Sequence, residues 1–160
     1  SGELADKQGD EVVNEPHVRT AQDRYDSDRK LRHISGLSTQ KKLCIFAVAA
    51  TDYYSTAGVD WIPAGPSYSL YQYVCDILDA DSYGRETFVN HVTEQATYGI
   101  LEFDRRGRGR GKGIHMHFDL AEDPESIMER ILEDDRFAEL EREEEMMRSV
   151  AKSQMNSFLN

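Results

Sequence analysis

The chain has 160 residues, of which 39% are hydrophobic and 31% charged, and its formal net charge is −11. This length suits one ordinary domain or a smaller domain with a helical extension. The sequence contains no run of 18 apolar residues, which excludes a membrane-spanning helix, and its start lacks the basic and apolar segments of a signal peptide. We expect a cytoplasmic protein without a membrane partner and, because the chain begins without Met, a fragment of a longer one.

The negative charge is unevenly distributed. Acidic residues outnumber basic ones by 30 to 19, and 13 of the basic residues are arginine. Residues 121–149 alone carry a net charge of −8. An acidic surface with few lysines is typical of proteins adapted to high salt, where carboxylates keep the surface hydrated. The composition therefore suggests a halophilic source.

The first clear helix signal lies between Pro16 and the pair Ser35-Gly36. Asn14 is a suitable helix cap, proline fits a first helical turn, and glycine commonly follows a helix. Apolar residues recur at roughly helical spacing, and most of the other positions are charged. These features predict a long, partly exposed helix over residues 16–34.

Three more helices are predicted before residue 98. Residues 39–54, capped by Ser38, have the apolar centre LCIFAVAA, which indicates a buried central helix. A loop rich in glycine and proline follows, and Ser67 is the predicted cap of a helix over residues 68–78. The next helix covers residues 85–97. Its predicted inward side chains are Phe88, Val89, Val92 and Ala96.

A β-hairpin with a basic loop follows. Residues 100–104 and 114–119 are the predicted strands. The loop between them carries five cations among glycines: Arg105, Arg106, Arg108, Arg110 and Lys112. Concentrating like charge on one loop costs self-repulsion and adds nothing to a core, so the pattern indicates a polyanionic partner. We interpret the hairpin as a wing that binds nucleic acid.

The C-terminal part begins with a further helix. Asp123 is a suitable cap, Pro124 fits the first turn, and apolar residues follow at helical spacing. The segment REEEMMRS is too charged for a core. The expectation is therefore an acidic, frayed tail over residues 141–160, helical in its first part, with residues 153–160 disordered.

From residue 38 the predicted order is helix, helix, helix, strand, strand, helix, which is the layout of a winged helix-turn-helix. Its usual short strand after the first helix falls within residues 59–62. The predicted fold is mainly α (α+β), with a β-hairpin wing and an N-terminal helical extension. In such a fold the helix over residues 85–97 enters the major groove. Arg85 and Thr87 are then predicted to contact phosphate, and Asn90 and His91 to face bases.

The order of these segments resembles a known family. The runs YSLYQYVC and FVNHVTEQATYGI resemble the C-terminal winged-helix domain of archaeal origin-recognition initiators, of the origin recognition complex subunit one / cell division control protein six family. Upstream, G-D-x-x-V, HV-x-x-A and L-x-x-x-x-K-L resemble the passage from the AAA+ lid into the winged helix. The resemblance covers roughly residues 4–135.

The resemblance implies a division of the chain and a function. Residues 1–36 would be a helical segment of the AAA+ lid or linker, residues 37–140 a winged-helix domain that binds double-stranded origin DNA, and residues 141–160 the tail. Full-length members are ATPases that help to load the replicative helicase. Here no G-x-x-x-x-G-K-[ST] occurs, and around Gly111-Lys112-Gly113 the required first glycine is Arg106. DNA binding, without catalysis, is therefore the expected function, and ATP and magnesium belong to a module outside this chain.

Several alternatives stay open. R-G-R-G-R-G also resembles an RNA-binding tract. The acidic segment 121–149 suits a basic protein partner, so an interaction module for helicase loading is a second hypothesis. A winged-helix transcription regulator is a third, although it requires a dimer, and we expect a monomer. Lys41 and Lys42, at the start of the first winged-helix helix, either contact backbone phosphate or are simply solvated.

Four residues with chemically versatile side chains have simpler interpretations. Cys44 and Cys75 lie in apolar helical patterns without Cys-x-x-Cys spacing, which predicts reduced core thiols. His115 and His117 alternate on one strand, a spacing that can ligate a metal, but no further ligands complete a set. We therefore predict no metal site, and the acidic pairs of the C-terminal part are interpreted as a solvated face.

Overall fold

The computed structural model describes residues 14–55, 60–107 and 114–160. The described elements run in the following order: α1 (Asn14–Ser35), α2 (Thr39–Tyr54), β1 (Ile62–Pro63), α3 (Ala64–Ile77), α4 (Arg85–Glu94), a 3-10 turn (Gln95–Tyr98), β2 (Leu101–Gly107), β3 (Ile114–Leu120), α5 (Pro124–Leu132), a 3-10 segment (Asp135–Glu143) and α6 (Glu144–Leu159). Among these residues, no helix has the length and apolar character needed to cross a membrane. The prediction of a mainly helical winged-helix fold is confirmed.

Helix α2 is the centre of the fold. Its residues from Leu43 to Ala50 have no exposed surface, and α2 packs against α3, α4, α5 and α6. The backbone N–H of Lys41 donates to the Ser38 hydroxyl, 3.4 Å away, which caps the helix as predicted. Burial of an almost uniformly apolar helix contributes about 1.5–3 kcal/mol for each large side chain, so α2 fixes the helices around it.

Helix α3 begins earlier than predicted, at Ala64 rather than at Tyr68. The prediction that Ser67 caps this helix is wrong, because Ser67 lies inside it and its hydroxyl donates to the Pro63 carbonyl oxygen, 3.1 Å away. Pro66 lies in the first turn, where the missing N–H of proline costs no helical hydrogen bond. The glycine and proline residues that indicated a loop therefore belong to the start of the helix.

Helix α4 ends at Glu94, and the last part of the predicted helix is a tighter 3-10 turn. Gly99 closes this turn with φ of +78°, in the left-handed region where glycine has no steric penalty. The Ile100 N–H donates to the Gln95 carbonyl oxygen at 3.2 Å. This closure sends the chain directly from α4 into β2, so the helix and the hairpin are held side by side.

Helix α1 braces the same turn. The His33 Nε2 lies 2.9 Å from the Gln95 Oε1, and the His33 ring stacks on Tyr98 with centroids 4.1 Å apart. The Lys30 ammonium pairs with the Glu122 carboxylate at 3.6 Å, just beyond β3. The predicted helix over residues 16–34 is thus present, and its C-terminal end packs against the junction between α4 and the hairpin.

The sheet has the strand order β1-β3-β2, and both pairings are antiparallel. Ile62 and Phe103 both lie opposite Phe118 of the central strand. The short first strand, predicted within residues 59–62, is therefore confirmed at Ile62. Strand β2 extends to Gly107, three residues beyond the predicted end, so Arg105 and Arg106 lie on the strand rather than in the loop.

The prediction of a frayed tail over residues 141–160 is wrong. Residues 144–159 form α6, which packs against α2 and α3. Met147, Ala151 and Met155 recur every fourth residue and are buried, forming an apolar stripe. Glu144 and Glu145 lie in the first turn, where carboxylates interact favourably with the helix dipole. The charge that suggested disorder is thus confined to the exposed side and the N-terminal end.

The buried stripe can be tested with two equal charge changes on α6. Ala151→Asp places a carboxylate in the core without a partner and should lower the free energy of unfolding by about 3–5 kcal/mol. Ser149→Asp adds the same charge at an exposed position and should change the free energy of unfolding by less than about 0.5 kcal/mol. Urea titrations followed by circular dichroism measure both values. Equal stability of the two variants would contradict the packing of α6.

Candidate nucleic-acid interface

Helix α4 separates its apolar and polar residues as predicted. Phe88 and Val92 are completely buried, whereas Thr87 and Asn90 are exposed. Phe88 is held between Tyr68 and Tyr71, with ring centroids 5.5 and 5.1 Å away. These contacts fix the rotation of α4 about its axis, so the exposed hydroxyl and amide groups face solvent together.

Arg85 lies at the N-terminus of α4 and also reaches α3. Its guanidinium approaches Gly65 so closely that a Cβ on that glycine would lie 2.8 Å from the Arg85 Nη2. Arg85 thus stands beside the first turns of two helices, whose free backbone N–H groups carry partial positive charge. An exposed arginine in this position is suited to an anionic group such as phosphate.

His91 is partly buried on α4, with its ring 5.9 Å from that of Tyr83. Burial, and then the nearby Lys41 ammonium, lower the pKa of His91, although Glu94 acts in the opposite direction. The imidazole is therefore neutral at neutral pH, with one donor and one acceptor nitrogen. Such a ring is suited to hydrogen bonding with a base edge rather than to charge pairing with phosphate.

The end of strand β2 next to the hairpin loop carries the two wing arginines that the structure describes. Arg105 and Arg106 are exposed and lie opposite Met116 and His115 of β3. Successive residues of a strand point to opposite faces, so the two guanidinium groups leave the sheet on different sides. The other predicted wing cations lie outside the described residues: Arg108, Arg110 and Lys112. Helix α4 contacts strand β2, whose far end carries these two arginines.

Trp61 is a residue of this region that the sequence reasoning missed. The Arg106 guanidinium lies over its ring, 4.3 Å from the centroid, and the Arg106 Nε is 3.7 Å from the Asp104 carboxylate. The two contacts orient a long side chain that is otherwise free to rotate. Trp61 precedes the two-residue strand β1, so its position beside the wing follows only from the pairing of β1 with β3.

Two adjacent lysines, Lys41 and Lys42, have different surroundings. The Lys41 ammonium pairs with the Glu94 carboxylate of α4 at 2.8 Å. The Lys42 side chain is buried, and its ammonium pairs with the Asp134 carboxylate at 2.9 Å. Both alternatives from the sequence, phosphate contact and simple solvation, are therefore wrong for Lys42, because its ammonium is held in this ion pair.

The candidate metal ligands are occupied by packing contacts. The rings of His115 and His117 lie edge-on to Phe158 of α6, with centroids 5.2 and 5.9 Å away. Within the described part of the chain, no group of three or more potential ligands is placed to hold a metal ion. Cys44 and Cys75 are buried free thiols, and burial raises the pKa of Cys75 to about 11.

Comparison with known proteins identifies the family. The family described as "CDC6, C terminal winged helix domain" matches residues 32–130. The chain belongs to this family. Within the family, the archaeal relatives include "ORC1-type DNA replication protein 5" of Halobacterium salinarum, which is 42% identical over 158 residues. Another is "ORC1-type DNA replication protein 14" of Haloarcula marismortui, which is 36% identical over 160 residues.

Each alignment covers 99% of this chain but only 37% of the relative, so the chain spans just over a third of the length of these proteins. Among solved structures, it is similar to the Aeropyrum pernix ORC1 protein determined in complex with DNA, with a TM-score of 0.66. That match covers 78% of this chain and 31% of the other, at 21% identity, and confirms the fold. The predicted resemblance to archaeal initiators is thus confirmed. The relatives from Halobacterium salinarum and Haloarcula marismortui come from halophilic archaea.

The ion pairs of Asp134 with Arg136 and Lys42 give a pH-dependent stability. Hydrogen bonds from Arg136, and then from Lys42, hold the pKa of Asp134 well below its usual range. Because the folded-state pKa is depressed, the stabilisation is complete above the ordinary carboxyl pKa of about 3.9 and is lost as the pH falls toward the folded value. Asp134→Asn should lower the free energy of unfolding at pH 7 by about 1.5–3 kcal/mol.

Denaturant titrations from pH 7 to pH 2 measure this effect. The difference between the original chain and Asp134→Asn should be constant down to about pH 5 and shrink below about pH 4. Asp135→Asn is the matched control, since Asp135 is exposed, and it should show little effect at any pH. A difference that stays unchanged down to pH 2 would show that Asp134 is not the titrating group.

Proposed function

We propose that this chain binds double-stranded origin DNA as the DNA-reading part of a replication initiator. The observation that carries the proposal is the contact between α4, which has an exposed polar face, and β2, the strand that leads into a hairpin loop with clustered arginines. A helix and a wing so placed can occupy neighbouring grooves of one duplex. Membership of the initiator family supports this function over the RNA-binding and transcription-regulator alternatives.

The proposal gives each group a role. Arg85 and Thr87 contact phosphates at the start of α4, while Asn90 and neutral His91 face base edges in the major groove. The wing cations bind the phosphates and edges of an adjacent groove: Arg105, Arg106, Arg108, Arg110 and Lys112. At high salt, counterion release contributes little to affinity. Base contacts and groove shape therefore carry more of the binding in a halophilic cell.

A longer protein with this chain as its DNA-binding part would be an ATPase that acts in the cytoplasm at the nucleoid and helps to load the replicative helicase. This chain has no phosphate-binding loop in its sequence. ATP and magnesium would therefore bind in a module outside it. The DNA-binding chain itself would act as a monomer, since one copy carries both the helix and the wing proposed to bind a duplex.

Removing the wing charge tests the proposal. Replacing Arg105, Arg106, Arg108 and Arg110 with Ala should weaken binding to every duplex sequence. It should also reduce the slope of log affinity against log salt by about 0.9 for each phosphate that the variant no longer neutralises. Gel-shift titrations over a range of salt concentrations measure both quantities.

The matched control removes four arginines elsewhere and so makes the same change in net charge. These are exposed residues of α1 and of the 3-10 segment: Arg24, Arg29, Arg32 and Arg142. This variant should keep most of the original salt slope. If the wing variant binds duplex DNA as the original chain does, or if both variants show the same reduction in affinity, the proposed interface is wrong.

Trp61 provides a second test, because it orients Arg106. Trp61→Ala should weaken duplex binding by about two- to fivefold, the effect of removing an exposed cation–π interaction, whereas Trp61→Phe should keep most of the affinity. In an Arg106→Ala background, Trp61→Ala should have no further effect. Fluorescence anisotropy with a labelled duplex measures the affinity of the original chain, the two single variants and the double variant. If Trp61→Ala reduces the affinity equally with and without Arg106, Trp61 acts independently of Arg106.

A further inference from the structure

We propose that a pocket between α2, α5 and α6 is a docking site for a basic peptide segment with one large apolar side chain, supplied by a partner protein. The pocket has a volume of about 220 Å³. Ligand sites for drug-sized molecules usually occupy about 300–1,000 Å³, so this smaller pocket suits a single side chain. Its apolar wall consists of Tyr53, Tyr54, Met128, Leu132 and Leu140.

The rim of the pocket is acidic. Four exposed glutamates from α5, the 3-10 segment and α6 surround the apolar wall: Glu125, Glu129, Glu141 and Glu144. Among the residues that the structure describes, no lysine or arginine lines the pocket. A basic segment complements the negative charge of these carboxylates. An apolar centre with a polar rim is also the common arrangement of protein interfaces.

The chain itself shows how an arginine fits beside this pocket. The Arg148 guanidinium lies over the Tyr54 ring, 4.8 Å from the centroid, and its Nη2 is 3.0 Å from the Glu144 carboxylate. One aromatic face and one rim carboxylate thus bind a guanidinium together. A partner arginine or lysine can use the remaining rim carboxylates in the same way.

Tyr53 offers the most exposed part of the apolar wall. Its side chain is 41% exposed at the end of α2, and its hydroxyl lies 3.3 Å from the Glu125 carboxylate. That carboxylate raises the pKa of the Tyr53 phenol, which therefore stays neutral. Tyrosines at such positions, apolar in body and hydrogen-bonded at the tip, are frequent anchors of protein interfaces.

The pocket distinguishes between possible occupants. Nucleic acid is repelled by four carboxylates. A second copy of this chain could offer its basic wing loop. However, residues 105–113 are only arginine, lysine and glycine, so the loop has no apolar side chain to fill the pocket. A basic peptide with an apolar anchor matches both the wall and the rim.

The proposal is tested without DNA, so its outcome is independent of the proposed DNA binding. The probe is a fluorescein-labelled ten-residue peptide of lysine and arginine with one central Trp, and a matched peptide carries Gly in place of that Trp. Anisotropy titrations should give tight binding only for the Trp peptide. Glu141→Lys should weaken this binding about tenfold, as expected when one partner of an interfacial charge pair is reversed.

The matched control is Glu139→Lys, an equal charge change at an exposed residue of the same segment that does not line the pocket. It should leave peptide binding within about twofold of the original, since exposed charges outside the contact contribute little. Thermal melts of both variants verify that each remains folded.

Three results would overturn the proposal. Equal binding of the Gly and Trp peptides, or equal effects of Glu139→Lys and Glu141→Lys, would mean non-specific attraction to an acidic surface. A peptide with the sequence of residues 104–113 that binds as tightly as the Trp peptide would assign the pocket to a second copy of this chain.

Discussion

The arrangement of the candidate interface depends on the burial of α2. This helix has almost no polar side chains along its centre, so the surrounding helices must cover it on all sides. Covering it places α3 against one side. Phe88 of α4 then lies between Tyr68 and Tyr71 of α3, which fixes the orientation of α4. The left-handed turn at Gly99 transmits this orientation directly to β2. The polar face of α4 and the base of the wing are therefore set by packing that lies behind them.

Charge is divided in a way that complements this packing. The chain is strongly acidic overall, yet five cations lie within eight residues of the wing, and residues 121–149 carry much of the negative charge. Repulsion between duplex DNA and the acidic surface of α5 and α6 restricts the orientations in which DNA can approach. The same acidic surface surrounds an apolar pocket suited to a basic protein segment. One small domain thus has two surfaces of opposite charge.

Local signals in the sequence predicted much of this structure, and the exceptions have physical causes. Three signals were sufficient to predict the fold class and the exposed face of α4. They are the uniform apolar run of α2, the helical spacing of apolar residues in α4 and the basic loop between two strands. Helix α6 was expected only as a fraying tail because its charged residues hide a stripe that is apolar only at every fourth position. The positions of Trp61 and the buried Lys42 depend on partners far away in sequence, Arg106 and Asp134, which no local pattern indicates.

The most direct test of the central claim, that α4 and the wing bind one duplex together, is an NMR titration of the isotope-labelled chain with double-stranded DNA. The claim predicts amide shift changes in residues 85–91 and 105–112 that follow a single binding curve, while α5 and α6 remain unchanged. Changes in only one of the two segments, separate curves for the two, or changes centred on α5 and α6 would contradict it.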